Sequence, residues 1–216
     1  MMKKLCFTTL FLFIGLLCSS AYAGWWGGQD ASKQIPAPWP PVIGKPYPDL
    51  ELISQYGDKF HLSELKGKTL LIEPVGMNCA ACQAFSGAET LGAYENNSVQ
   101  KGLGSIETLV KQYSGGIKLP NENVLMIQIL FYDMKLGTPK PEDAKKWADH
   151  FGFNISRNQI VAVPVDDLRG GAAYNLIPGF QVVDKNFILR SDSTGYRPHD
   201  DLYRTTLPML GKLAVQ

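Results

Sequence analysis

The sequence predicts an α/β fold in which a mixed sheet is covered by helices on both faces. Apolar runs with the length of strands alternate along the chain with segments of helical periodicity. Two of these runs, at residues 70–72 and 124–131, are apolar almost throughout, which is typical of strands buried on both faces. The turn sequence Asp184-Lys185-Asn186 lies between two shorter apolar runs and indicates a hairpin, which adds an antiparallel pair.

The first 23 residues have the pattern of a secretory signal peptide. Two lysines precede an apolar run at residues 5–18, and Ala21-Tyr22-Ala23 places small residues where a signal peptidase reads. That run is about fourteen residues long, shorter than the roughly twenty that a membrane-spanning helix needs. The residues before Cys18 form a poor lipid-attachment signal. We therefore expect cleavage after Ala23 and a periplasmic or secreted protein with no stable membrane span.

Residues 24–45 read as a leader rich in proline and tryptophan, and residues 46–216 as a single domain. The tryptophans of the leader, Trp25, Trp26 and Trp39, either pack on the domain or contact a partner. The chain intersperses 21 basic with 20 acidic residues, so it has no basic surface for nucleic acid or an anionic membrane. Proteins and small thiols are the expected partners.

Turn residues and periodicity place the elements of the domain in order. The predicted strands are residues 50–53, 60–62, 70–72, 124–131, 160–165, 181–183 and 187–189, with a helical turn at 63–65. One helix begins at Cys79, and a second, amphipathic helix covers the apolar positions from Val99 to Tyr113. The third begins at Pro141 and ends at Phe151, with acidic residues in its first turn. A last helix covers residues 201–214, where Pro208 should break or kink it.

Cys79 and Cys82 are the only cysteines after the predicted signal peptide. Their CxxC spacing allows a redox couple, half of a metal site or a structural disulfide. A disulfide across this spacing closes a small ring and gives little stabilisation through loop entropy. His61, His150 and His199 lie on separate predicted elements without the spacing of a metal site. We therefore predict a redox-active Cys79–Cys82 disulfide and no other cofactor.

The chemistry of such a couple assigns a role to each sulfur. The N-terminus of a helix stabilises an anion, so Cys79 should be the acidified nucleophile. Cys82 lies one turn further along the same face and can attack the mixed disulfide once it has lost its proton. Glu73, six residues before Cys79, can accept that proton if it is buried under the site, where its pKa would rise. The alternative is an ordinary carboxylate at the end of a strand.

Two segments carry a family resemblance. GDKFHLSELKGKTLLIEPVGMNCAAC, residues 57–82, resembles the entry of extracytoplasmic thioredoxin-like reductases of the TlpA and ResA type. IPGFQVVDKNFIL, residues 177–189, resembles the cis-proline segment of the same family. The resemblance implies a thioredoxin-like fold in which Pro178 is a cis proline beside the cysteines and the backbone of Ile177 pairs with a substrate strand. Asn78 stands where the family often has Trp, and we expect it to contact the substrate.

The family further implies a reductant of protein disulfides, recharged by a membrane electron donor and active in cytochrome c maturation or at a copper-site protein. The middle residues Ala80 and Ala81 leave the redox direction open. GTPKPEDAKKWADHFGF, residues 137–153, is similar to the middle segment of Sco-type copper chaperones. Those proteins use a wider cysteine spacing and a histidine that is absent from Asn175-Leu176-Ile177, but a Cu(I) metallochaperone remains the alternative. A peroxiredoxin-type peroxidase would require Thr at Gly76.

Residues 92–119 form an insertion between the CxxC helix and the next buried strand. Its amphipathic helix should pack on the domain. Its polar edge is expected to be spare and to select the partner, as added elements near a site often do. This edge consists of Glu95, Asn96, Asn97, Gln100 and Lys101.

Overall fold

Seven strands form one mixed sheet in the computed structural model, which describes residues 39–216. They are β1 (Glu51–Ser54), β2 (Lys59–His61), β3 (Thr69–Gly76), β4 (Val124–Tyr132), β5 (Gln159–Pro164), β6 (Gln181–Val183) and β7 (Leu189–Asp192). Their order in the sheet is β2-β1-β5-β4-β3-β6-β7. β4 pairs parallel with β3 and β5, while the remaining pairs are antiparallel. The predicted signal peptide, its cleavage site, Trp25 and Trp26 lie outside the described residues.

The helices cover both faces of this sheet. They are α1 (Ala80–Phe85), α2 (Ala88–Leu91), α3 (Ile106–Tyr113), α4 (Pro141–Phe151), α5 (Gly171–Asn175) and α6 (Leu207–Ala214). Apolar residues of α1, α3, α4 and α6 form one core with β3 and β4, which we call the helix-side core. The opposite core contains Tyr47, Leu62, Phe131 and Ala173 and is called the leader-side core. The predicted α/β class with a mixed, two-sided sheet is confirmed.

The second predicted helix begins later than its apolar pattern indicated. Val99 and Leu103 lie outside α3, which starts at Ile106. Gly102 and Gly104 have φ angles of 75° and 77°, a left-handed conformation that interrupts a helix. Ser105 caps α3 by accepting a hydrogen bond from the backbone N–H of Thr108 at 3.3 Å. The glycines and the cap, not the apolar spacing, therefore determine where the helix starts.

The C-terminal part also differs from the expectation in detail. The predicted bounds of the strand at 187–189 are wrong. Phe187 has a φ of 67° and lies in the turn, and β7 begins at Leu189. α5 was not predicted. Pro208 lies in the first turn of α6, after a π-helical turn at Leu202–Thr206, so the expected break falls just before the proline.

The end of the leader packs on the domain. The Trp39 ring lies 5.7 Å from the Phe131 ring, centroid to centroid. The backbone N–H of Gly44 donates to the carbonyl of Leu189 at 2.8 Å.

Within residues 39–216, no helix has both the length and the apolar composition required to cross a membrane.

Candidate active site

The site is built where β3 ends and α1 begins. Every residue of β3 is buried, and the strand lies between β4 and β6 in the interior of the sheet. After Gly76 the chain turns, and Cys79 becomes the N-cap of α1, with its backbone N–H donating to the Gly76 carbonyl at 2.9 Å. Cys79 is therefore half-buried just beyond the carboxyl end of β3, while Cys82 is inside the helix-side core.

Cys79 has the environment of a thiolate. Its Sγ accepts the backbone N–H of Cys82 at 3.2 Å, and both cysteines are free thiols in the structure. A hydrogen bond from the Cys82 thiol and bonds from the backbone N–H groups of Cys82 and Ala81 outweigh partial burial, and they lower the pKa of Cys79 from 9.0 to about 7. A large fraction of Cys79 is therefore anionic near neutral pH.

Cys82 has the opposite character. Its side chain is fully buried, and this burial is the main reason that its pKa lies well above 9.0. Donating a hydrogen bond to Cys79 and the negative charges of Cys79 and Glu73 raise the pKa of Cys82 further. Cys82 thus keeps its proton at neutral pH and needs a base before it can attack.

Glu73 is the carboxyl group buried beside this thiol pair. It is fully inaccessible to solvent and lies on the face of β3 that contributes Leu71 and Val75 to the helix-side core. Its Oε2 accepts a hydrogen bond from Gln128 Nε2 at 2.7 Å, whereas its Oε1 has no partner among the described residues. Burial raises the pKa of Glu73 well above 4.5, the Gln128 bond opposes this, and the charge of Cys79 adds to it. Glu73 is therefore buried within β3, and its role as the base that accepts the Cys82 proton stays a prediction.

The side chains of Asn78, Cys79 and Ile177 all lie near Gly76. A Cβ atom built on Gly76 would lie 3.3 Å from Asn78 Oδ1, 3.7 Å from Cys79 Cβ and 3.8 Å from Ile177 Cδ1. A Cβ atom at position 76 would thus be tight only against the Asn78 side chain and in ordinary contact with Cys79 and Ile177. The Ile177–Pro178 peptide bond is cis, and the Pro178 carbonyl accepts the backbone N–H of Gly195 at 2.7 Å.

The backbone N–H of Ile177, which was expected to pair with a substrate strand, makes a hydrogen bond within the protein. It donates to the carbonyl of Tyr174 at 3.2 Å, in the last turn of α5. A substrate strand could use this N–H only by displacing that bond. The side chain of Ile177, which is half-exposed beside Cys79, is thus available for contact.

Three residues around Glu73 are not predicted by the sequence patterns above. Gln128, Trp147 and Ser86 are buried and joined by hydrogen bonds of 2.8 Å, from Trp147 to Gln128 and from Gln128 to Ser86. A signal for Gln128 was present, because it is the single polar residue in the run VLMIQILF. Glu73 and Gln128 are direct partners in the parallel register of β3 and β4.

The insertion contacts the CxxC turn, so the expectation of a spare polar edge is wrong for Asn97, while Gln100 contributes only its backbone and keeps an exposed side chain. The carbonyl of Met77 accepts Gln83 Nε2 at 2.8 Å and Asn97 Nδ2 at 3.3 Å. The backbone N–H of Gln100 donates to the carbonyl of Ala80, between the two cysteines, at 3.0 Å. The insertion is therefore part of the support of the CxxC motif.

The histidines lie away from the thiols and apart from one another. His61 is 3.7 Å from a carboxylate oxygen of Asp49, and His199 is 2.9 Å from one of Asp200. His150 Nε2 lies 2.9 Å from the carbonyl of Gly92. In residues 39–216, no cluster of three or more His, Cys, Asp or Glu side chains is arranged to hold a metal ion.

The thioredoxin-like architecture predicted from the sequence is confirmed by the position of the site in the sheet. The CxxC motif follows the interior strand β3, and the cis proline precedes β6, which is the antiparallel neighbour of β3. No protein-family model matches the sequence. No curated protein matches it either.

Solved structures do match. A protein from Aquifex aeolicus VF5, proposed to act in electron transfer, aligns over 80% of this chain and 98% of its own, with 17% identity and a TM-score of 0.52. A SCO1/SenC family lipoprotein from Bacillus anthracis str. Ames aligns over 80% and 99%, with 17% identity and a TM-score of 0.48. A proposed thiol-disulfide oxidoreductase from Bacteroides vulgatus aligns over 78% and 96%, with 20% identity and a TM-score of 0.45. The first match shows a shared fold, and the activity must be argued from the site.

Proposed function

We propose that this chain is an exported thiol-disulfide oxidoreductase that acts through Cys79 and Cys82. The observation that carries the proposal is the difference between the two thiols. Cys79 is half-buried with a pKa lowered to about 7, whereas Cys82 is fully buried with a raised pKa. Sequential thiol-disulfide exchange requires one accessible thiolate that attacks the substrate and a second thiol that later resolves the mixed disulfide. A purely structural disulfide needs no such difference.

The first step is attack by the Cys79 thiolate on a disulfide of the partner. A bond forms between Cys79 Sγ and one partner sulfur, the partner's S–S bond breaks, and the other partner sulfur leaves as a thiolate. Cys79 loses its negative charge in this step. Because that charge raises the pKa of Glu73, its loss favours the Glu73 carboxylate at the moment when a base is needed.

The second step resolves the mixed disulfide. Glu73 accepts the proton of the Cys82 thiol, and the Cys82 thiolate attacks Cys79 Sγ. The Cys79–Cys82 disulfide forms, the bond to the partner breaks, and the partner leaves in its reduced form. Both electrons for the reduction come from the two thiols, so this direction requires a reductant that regenerates them.

We assign the protein to the reducing direction, with a membrane electron donor as the source of electrons and an exported protein disulfide as the substrate. The support is the N-terminal signal pattern together with the resemblance of residues 57–82 and 177–189 to TlpA and ResA-type reductases. Apocytochrome c or a copper-site protein are the substrates that this resemblance favours. A reduction potential measured against glutathione tests the direction, and a strongly oxidising value would reverse it.

A Cu(I) metallochaperone is the second function that the site allows, because two adjacent soft thiolates are preferred ligands for Cu(I). The copper ion would then be cargo. We expect weak Cu(I) binding, since the resemblance implies that the cis proline Pro178 shields the two sulfurs from metals. Stoichiometric, very tight binding of Cu(I) by the reduced protein without exchange activity would replace the oxidoreductase proposal.

Insulin reduction with dithiothreitol and exchange with glutathione disulfide test the proposal. The wild type should be active, Cys79→Ser inactive, and Cys82→Ser should accumulate mixed disulfides with its partner. Trapping on Cys82→Ser followed by mass spectrometry of the captured protein would identify the substrate. Equal activity of the wild type and Cys79→Ser would refute the proposal.

A further inference from the structure

Gln128 is a buried residue whose side-chain amide oxygen and nitrogen are both hydrogen-bonded. It lies on β4 directly opposite Glu73 and is fully inaccessible to solvent. Its Oε1 accepts Trp147 Nε1–H at 2.8 Å. Its Nε2 donates to Glu73 Oε2 at 2.7 Å and to Ser86 Oγ at 2.8 Å. The amide is thus held from three sides.

Trp147 determines which way round the amide lies. An indole N–H can only donate, so it must face the amide oxygen, and both N–H bonds of the amide then point to Glu73 and Ser86. An amide nitrogen can only donate, so Glu73 Oε2 stays an acceptor whether or not the carboxyl is protonated. Glu73 Oε1 has no partner among residues 39–216. It is therefore the oxygen that is open to a proton.

We propose that Gln128, oriented by Trp147, is a positioning residue for the proton transfer between Cys82 and Glu73. It reserves Oε2 as an acceptor and directs the incoming proton to Oε1. In the step concerned, the S–H bond of Cys82 breaks and the O–H bond forms at Glu73 Oε1. The electron pair left on Cys82 Sγ forms the S–S bond to Cys79, while the bond between Cys79 Sγ and the partner sulfur breaks and the partner leaves as a thiolate. The inference rests on the proposed oxidoreductase function and adds residues outside the CxxC motif to it.

The same bond sets the pH at which Glu73 can act. Donation from Gln128 favours the carboxylate, while burial and the charge of Cys79 favour the protonated form. Within residues 39–216, the charge of Cys79 acts on Glu73, and the charge of Glu73 acts in turn on Cys82. The other elements packed on this face of β3 contribute uncharged side chains to the core around it, among them Val110, Trp147, Val182 and Leu207. Loss of the Gln128 donor should therefore move the Glu73 pKa upward.

The reaction of the reduced full-length protein with the chromogenic disulfide DTNB separates the two steps. Attack by Cys79 releases the first thionitrobenzoate, and attack by Cys82 on the mixed disulfide releases the second. We expect Gln128→Met to raise the pH midpoint of the second release by about one unit, as expected for the loss of one hydrogen bond to a charged group. Trp147→Phe, which keeps an aromatic ring but frees the amide, should shift it in the same direction by less. Both shifts should vanish in a Glu73→Gln background.

Gln159→Met is the matched control. Gln159 is also buried in the sheet, accepts Arg157 Nε at 3.1 Å and donates to the carboxylate of Glu107 at 2.8 Å, but it does not contact Glu73. It should leave the midpoint unchanged. Circular dichroism and thermal melting establish that each variant is folded, and Trp147→Phe carries the test if Gln128→Met does not fold.

An infrared readout separates this inference from the proposed function. The C=O stretch of protonated Glu73, assigned by its loss in Glu73→Gln, is titrated in the wild type and in Gln128→Met. If the wild type never releases the second thionitrobenzoate, the oxidoreductase proposal fails while the infrared midpoints still test Gln128. Identical midpoints in the wild type, Gln128→Met and Trp147→Phe, or an equal shift in Gln159→Met, would overturn the positioning role.

Discussion

The two faces of the central sheet bury polar groups in different ways. On the leader side, Tyr47 donates to Gln181 Oε1 at 2.7 Å, and Gln181 Nε2 donates to Asp192 at 2.9 Å, so the network is closed. On the helix side, the network of Trp147, Gln128 and Glu73 ends at an oxygen without a partner. In residues 39–216, Glu73 Oε1 is the one buried side-chain nitrogen or oxygen in this condition.

The difference separates a fully paired network from the one to which we assign a role in proton transfer. Buried polar groups are normally paired, because an unpaired one costs about 1–3 kcal/mol. The closed network beside Tyr47 conforms to this rule. The open end at Glu73 lies next to a dithiol, where an unsatisfied carboxyl oxygen is useful as a proton acceptor. Substitutions on the two faces should therefore affect different properties.

The largest effect is expected for Glu73→Gln, which removes the proposed proton acceptor. Release of the second thionitrobenzoate from DTNB should slow by about a hundredfold at pH 7, the lower range of general-base contributions. The first release, which needs only the Cys79 thiolate, should change much less. A variant that slows both releases equally would show that Glu73 supports the site as a whole and does not act as its base.

Glu73→Gln should also stabilise the reduced protein. The folded-state pKa of Glu73 lies above its ordinary value of 4.5, so the wild-type carboxyl costs stability as the pH rises from 4.5 toward the folded-state pKa. Removing it should therefore raise the free energy of unfolding at pH 7 and change it little at pH 4. Urea unfolding at the two pH values measures this, and a gain that is independent of pH would contradict the argument.

A smaller effect is expected for Cys82→Ala, which removes the hydrogen bond that contributes most to the low pKa of Cys79. The pH midpoint for alkylation of Cys79 by iodoacetamide should move from about 7 toward the ordinary value of 9.0, because only the backbone donors remain. At neutral pH this lowers the alkylation rate about tenfold. An unchanged midpoint would assign the acidity to the backbone of α1 alone.

On the closed face, Tyr47→Phe should affect stability without affecting chemistry. It removes the donor to Gln181 and leaves a buried acceptor unpaired, which should lower the free energy of unfolding by about 1–2 kcal/mol. Both DTNB phases should keep the rates of the wild type. A slower second phase in Tyr47→Phe would mean that the two faces are coupled through β3 and β6.

The smallest effect is expected for Asn97→Ala in the insertion. Its bond to the carbonyl of Met77 is 3.3 Å long, and Gln83 still donates to the same oxygen at 2.8 Å. Rates of both DTNB phases should stay within about twofold, as is usual for loss of a half-exposed neutral bond. Gln83→Met is the comparison: Gln83 is fully buried and also accepts the backbone N–H of Tyr94, so its loss should cost about 1–3 kcal/mol of stability.

Much of this architecture was predictable because it depends on local chemistry. The apolar runs of β3 and β4, the CxxC spacing and the proline at the start of α4 each specify their element through burial, spacing or backbone geometry. The predicted start of α3 was wrong because two local signals disagree there. The apolar periodicity continues through Gly102 and Gly104, but the left-handed backbone of these glycines does not allow a helix.

The sequence by itself determined the α/β class, the pair Cys79 and Cys82, and Glu73 as a candidate base, because residue type and spacing carry that information. Only the tertiary structure decided that Glu73 is fully buried, that Gln128 is its partner across β3 and β4, and that Trp147 orients the amide. Glu73 and Gln128 are 55 positions apart in the sequence, and Gln128 and Trp147 are 19 apart, so no local pattern links them. Their contact follows from the parallel pairing of β3 with β4 and from the packing of α4 over the neighbouring strand β5, which brings the Trp147 indole to Gln128, and both depend on the whole fold.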